Sequence, residues 1–205
     1  MRIAITGAHG VGKTTLTNAL TGNRRFIAPV PTPMHNPQPG QLKSLQDCTN
    51  EEVLRLTQRR YTERIQQEHS AEFIISDGSV LHEWVYAATR LQYGVFPAAD
   101  VTPFIPDTGQ VQLALIEDFI EEALAYTEAN YDEIFFIPVE FPLPADDAPI
   151  SARFQREAGE HLYQLLKTLN KPVHILGGTV ERRQACVSSI LDPEGIRANT
   201  KFVGR

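Results

Sequence analysis

The sequence predicts an α/β fold built on a parallel, doubly wound sheet. Short β-branched or apolar runs alternate with segments of helical period along most of the chain. An apolar run at 1–6 leads into Gly7-Ala8-His9-Gly10-Val11-Gly12-Lys13-Thr14 and then into 15–20, where Leu16, Ala19 and Leu20 fall at helical spacing. Glu133-Ile134-Phe135-Phe136-Ile137 is nearly unbroken in apolar character, as in a strand covered on both faces.

The elements follow in order. Residues 26–30 read as a second short strand, which runs into a proline-rich stretch from Pro29 to Gly40. Its alternating prolines forbid a helix and favour an extended loop. A loop leaving the C-terminal end of a parallel strand lies over the ligand crevice, so this one, with His35, is either a substrate loop or a stiff connection. A helix is expected from Asn50 to His69, with Thr49 or Asn50 as cap and Glu51 and Glu52 in its first turn. It carries Arg55, Arg59, Arg60 and Arg64, which are either a solvated face or a source of one anion-facing arginine.

Residues 72–77 form the next strand and end in Asp77. Ser79 then caps a helix over 80–88 that holds His82, Glu83, Trp84 and Tyr86. A connecting excursion occupies 93–108, a long helix 109–129, and a strand 133–137. A proline- and acid-rich loop spans 141–150, and Ser151 caps a helix reaching Leu169. The last strand is 172–176; Gly177-Gly178 turns the chain into a helix from Thr179 to Leu191. The tail 192–205 has no assignment.

A chain of 205 residues is expected to be one domain with a sizeable core. Its hydrophobic content of 42% and charged content of 21% are those of an ordinary globular protein. A net charge of −6 argues against a broad nucleic-acid surface, although a local basic cleft stays open. Cys48 and Cys186 suit neither a disulfide framework nor a zinc site. No run approaches membrane-span length, and the glycine loop at residue 7 leaves no signal region, so a cytoplasmic location without membrane association is expected.

The stretch from Gly7 to Thr14 reads G-x-x-x-x-G-K-T, the phosphate-binding loop. Its glycines let the backbone approach a ligand, and its N–H groups join the positive end of the following helix in facing phosphate oxygens. Gly7, His9, Gly10, Val11, Gly12, Lys13, Thr14 and Thr15 are therefore the expected ATP-binding residues. Lys13 adds charge at the β- and γ-phosphates, and Thr14 offers a hydroxyl to Mg²⁺. The His9 side chain is expected to face solvent or a neighbouring loop.

Asp77 is expected beside Lys13 at the sheet edge, where a carboxylate holds Mg²⁺ or accepts a proton from an acceptor hydroxyl. The plainer reading makes it a helix cap or turn residue. Arg153 and Arg156 share a helix face and can close over the γ-phosphate, or stand as a solvated pair offset by Glu157 and Glu160. Arg182 or Arg183 can stack on adenine or lie at the surface. Trp84 and Tyr86 can line an acceptor pocket, though core packing explains them as well.

Residues 6–15, the strand end at Asp77 and residues 153–160 together resemble small P-loop kinases. The likeness is to the group of nicotinamide riboside kinase and thymidylate-kinase-like enzymes, placed among AAA-like ATP-binding domains. That resemblance implies a three-layer P-loop fold across 1–205, with a five-stranded sheet of order 2-3-1-4-5 and a lid near 141–160. It implies ATP and Mg²⁺ as cofactors, and Lys13, Asp77, Arg153 and Arg156 as catalytic residues. Thr14 and Asp77 would hold the metal, Arg182 the base, and Trp84, Tyr86 and His35 the acceptor.

The implied acceptor is a nucleoside, a nucleotide or a hydroxymethylated base. A kinase acting on 5-hydroxymethyluracil in DNA is one alternative, and a regulatory ATPase or GTPase switch with a protein partner is another. The lack of an Asn-Lys-x-Asp guanine signature counts against the switch. A monomer or homodimer fits the resemblance, and an AAA+ motor does not. One departure stands out: the family's arginine after the acid is Gly78 here, and Asp146-Asp147 supply the acidic loop before the lid arginines.

Overall fold

Strand β1 (Arg2–Gly7) is the middle of the sheet, because its alternating side chains are buried on both faces. Ile3 and Ile5 point into one core and Ala4 into the other. In this computed structural model the described residues are 1–21, 28–30, 48–94, 107–141, 143 and 150–191. They comprise β1, α1 (Lys13–Thr21), β2 (Ala28–Val30), α2 (Asn50–Glu68), β3 (Ile74–Asp77), α3 (Val80–Tyr93), α4 (Asp107–Asn130), β4 (Glu133–Ile137), α5 (Ala152–Leu166), β5 (Val173–Ile175) and α6 (Val180–Leu191).

The five strands are parallel in the order β2-β3-β1-β4-β5. This is the architecture expected above. Helices α1 and α6 cover one face through Leu16, Leu20 and Val187 over Ile3, Ile5, Phe135 and Ile137. Helices α3, α4 and α5 cover the other through Leu81, Trp84, Ile116, Phe154 and Leu162 over Ala4, Ile134 and Phe136. Pro29 sits in β2, an edge strand, where a missing N–H is tolerated.

Several boundaries differ from the sequence expectation. Helix α3 runs past Ala88 to Tyr93, where Gly94 at φ 69° stops it and donates its N–H to the Arg90 carbonyl. Helix α4 begins two residues earlier than expected, at Asp107. Helix α5 ends at Leu166 rather than Leu169, because Thr168 and Leu169 donate to carbonyls three residues back and tighten the chain out of helical register. The proline stretch 31–40 with His35, the excursion 95–106, Asp146-Asp147 and the tail 192–205 lie outside the described residues.

A buried polar cluster joins the helical layer to the sheet. The Glu68 carboxylate, wholly buried at the end of α2, accepts hydrogen bonds from Ser76 Oγ (2.7 Å), Tyr131 (2.8 Å) and Tyr126 (3.0 Å). Tyr131 Oη also accepts the Val80 N–H at the start of α3 (3.3 Å). Removing the carboxylate strands three donors, of which two are deeply buried. Glu68→Ala is therefore expected to lower the unfolding free energy by about 3–5 kcal/mol in urea denaturation. A loss below about 1 kcal/mol contradicts this account.

Candidate active site

The turn after β1 and the turn after β3 leave the sheet on opposite faces, toward α1 and α3, and the crevice between them is the switch point of the sheet. Register sets Ile5 opposite Asp77, and Gly78 N–H donates to the Ile5 carbonyl at 2.8 Å. Asp77 thus meets the first turn of α1. Thr14 Oγ1 donates to Asp77 Oδ2 at 2.5 Å. A hydroxyl and a carboxylate converging on one point are hard oxygen donors of the kind that would hold Mg²⁺. Among the described residues no cluster of three or more His, Cys, Asp or Glu offers a self-sufficient metal cage.

Lys13 is buried, and its ammonium donates to the Ala8 carbonyl of its own loop at 2.7 Å. Burial brings its pKa down to about 8; Asp77 and Glu83 oppose the fall and Arg64 adds to it. His9, Gly10, Thr14 and Thr15 are exposed around the loop, and Val11 and Gly12 are half-buried. Gly7 closes β1 against Ile137 of β4.

Beneath Asp77 lies a guanidinium that the sequence reading did not single out. Arg64 of α2 is fully buried. It donates from Nη1 to Ser76 Oγ (2.9 Å) and to the Asp77 carbonyl (3.2 Å), and from Nη2 to Glu83 Oε1 (3.1 Å). Burial alone would lower its pKa, and Glu83, Tyr131 and Glu68 together more than offset this and raise it. Glu83 also lies 3.8 Å from Arg60.

Gly78 is what makes room. At φ +105° it has a conformation that side chains rarely adopt, and a Cβ there would lie 3.0 Å from Arg64 Nη2 and 3.3 Å from His82 Nδ1. Arg64 therefore brings a guanidinium from α2 to the turn after β3, against the Asp77 carbonyl. His82 is buried, and burial with Lys13 and the arginines pushes its pKa well down. Its 3.8 Å approach to Glu83 is accordingly that of a neutral imidazole.

The remaining candidates fall in different places. Trp84 is corrected to a core residue: it is 1% exposed, stacked on Phe119 at 4.3 Å and tilted against Tyr61, because its position on α3 faces α4. Tyr86 is half-buried, with its ring against His82 (4.5 Å) and Phe154 (5.7 Å). Arg153 lies over the Tyr93 ring at 5.2 Å and 3.9 Å from Glu157; Arg156, more exposed, is 3.5 Å from the same carboxylate.

Arg182 is exposed beside Gly178, whereas Arg183 is buried and donates from Nη1 to the Val11 carbonyl (2.7 Å) and from Nη2 to Glu140 (2.8 Å). Gln155, lying between the two lid arginines in sequence, donates to the His9 carbonyl at 2.8 Å. Its sequence signal was an uncharged polar residue on an otherwise apolar helix face.

Residues 2–183 match the family described as AAA domain, and the chain belongs to that family. Its fold is that of small P-loop kinases. Deoxyadenosine kinase from M. mycoides with bound dATP superposes with a TM-score of 0.62 at 14% identity, covering 94% of this chain and 100% of that one. Thymidylate kinase from Candida albicans gives 0.61 at 15% identity, covering 94% and 91%. Curated protein sequences gave no significant match. Among the described residues no helix is long and apolar enough to cross a membrane.

The Lys13 ammonium has a measurable pH signature. Unfolded lysine keeps its proton to about 10.5, whereas the folded residue releases it near 8. The folded protein therefore gains stability as pH rises between these values. Lys13→Met is expected to be more stable than the wild type at pH 7 by up to about 3 kcal/mol, with the gap closing between pH 8 and 10.5 in urea denaturation. A gap that does not change with pH would contradict the assignment.

Proposed function

We propose that the chain is an ATP-dependent phosphotransferase of a single domain. It moves the γ-phosphoryl group of ATP·Mg²⁺ to a hydroxyl or phosphate of a nucleoside, a nucleotide or a hydroxymethylated base. The observation that carries this reading is the convergence of Lys13, Thr14 and Asp77 at the switch point of the sheet. The fold shared with nucleoside and nucleotide kinases supports it.

In this reading the loop amides and Lys13 bind the donor phosphates. The 2.5 Å contact of Thr14 with Asp77 favours a metal-side role for both. When bound, Mg²⁺ supplies charge neutralisation across the β- and γ-phosphates. An acceptor oxygen attacks the γ-phosphorus, the bond to the bridging oxygen breaks, ADP leaves, and the acceptor proton passes to Asp77 or to water. Arg153 and Arg156 offset charge on the transferring group once their hold on Glu157 is exchanged for phosphate. Tyr86 stands on the acceptor side, and Arg182 beside the base. A cytoplasmic setting suits this chemistry.

The test is ATP consumption with a panel of nucleosides, nucleotides and DNA containing 5-hydroxymethyluracil. One class of acceptor should raise turnover well above background. Lys13→Ala and Asp77→Asn should each cut that turnover by about 100-fold or more. Turnover undiminished in either variant removes that residue from the mechanism. Stimulation by a protein partner alone would favour a regulatory switch.

A further inference from the structure

We propose that Gln155 and Arg183 are positioning residues of the phosphate loop, holding two of its peptide planes so that the loop amides face the phosphates. The inference rests on reading Gly7 to Thr14 as the phosphate site. In a planar trans peptide the carbonyl and the following N–H point in opposite directions. A bond that fixes the His9 carbonyl therefore fixes the Gly10 N–H, and one that fixes the Val11 carbonyl fixes the Gly12 N–H.

These are the peptides that need holding. Each leads into a glycine at positive φ, 77° at Gly10 and 92° at Gly12, where a peptide plane rotates with little steric resistance. The Ala8 carbonyl is held by Lys13, and the Gly12 carbonyl accepts the Leu16 N–H in the first turn of α1. Among the described residues, the His9 and Val11 carbonyls are taken by side chains from elsewhere in the chain. Gln155 Nε2 takes the first at 2.8 Å and Arg183 Nη1 the second at 2.7 Å.

Both donors are set before any ligand arrives. Gln155 is 1% exposed on α5, within the segment that carries Arg153 and Arg156. Arg183 is 7% exposed on α6, and its other arm is anchored on Glu140, whose two oxygens also accept the Gly178 N–H at 2.9 and 3.0 Å. Glu140 follows β4 in the chain, so the C-terminal end of β4, the β5–α6 turn and the phosphate loop are tied through one Arg183–Glu140 pair.

The experiment measures calorimetric affinity of the full chain for Mg²⁺ with ADP and for Mg²⁺ with inorganic pyrophosphate. Gln155→Met should weaken both ligands by about fivefold and Arg183→Met by about tenfold or more. The factor should be the same for both ligands, because the clamps act on the loop and not on the base. Arg183→Lys keeps a charged donor and should recover part of the loss; it also serves if Arg183→Met folds poorly, as does Glu140→Gln, expected to show a smaller loss. Pyrophosphate affinity unchanged in the Gln155 and Arg183 variants, or a loss confined to ADP, overturns the proposal. Wild-type protein that binds neither ligand overturns the phosphate-site reading together with it.

Discussion

The pairing of β1 with β3 is the constraint from which the site follows. It sets Ile5 beside Asp77, and the Gly78 amide bond to the Ile5 carbonyl locks the end of the register. A slip of one residue would turn Asp77 to the other face and bury the wrong side chains of β3. The strand pair is itself held from below, where Arg64 and Glu68 meet at Ser76, the residue before the acid. Local chemistry at residue 77 thus depends on a helix that precedes β3 in the chain, through Arg64 and Glu68.

This support has an electrostatic cost. Arg64, Glu68, Glu83 and Lys13 are all buried, and each charge leaves water only because partners are already in place. A hydrophobic cluster could hold the same elements together with less desolvation. What the polar cluster adds is direction: guanidinium and carboxylate geometry fixes the Asp77 backbone and the α3 start relative to the sheet. Burial has a cost at Lys13 as well: desolvation loosens its proton relative to water, with Arg64 adding to the effect and Asp77 and Glu83 opposing it.

Much of the fold was legible in the sequence, because it is written in local patterns. The glycine loop, the apolar strands and the capping residues Thr49 and Ser151 act over a few positions, and both caps are present. The strand order came from resemblance rather than from periodicity. Asp77 was expected beside Lys13 at the strand end, and a metal role shared with Thr14 came from the resemblance; the direct Thr14–Asp77 hydrogen bond is the structure's addition. Arg64, Glu83, Gln155 and Arg183 were not legible as site supports, because their partners lie across the fold and an arginine on a helix looks alike whether it faces water or a buried acid. Trp84 misled for a related reason: an aromatic near a catalytic strand end serves a core or a pocket, and only the position of α4 decides.

Two of the phosphate loop's carbonyls are held by residues 146 and 172 positions later in the chain. During synthesis the glycine loop leaves the ribosome early, while the side chains that finish it emerge near the end of the described chain. A nascent chain that has made β1, α1 and β3 holds every residue of the loop and lacks the groups that orient it. The loop's full set of hydrogen bonds is therefore completed only when α5 and α6 have docked, which makes it a late-forming feature of a fold whose first strand carries it.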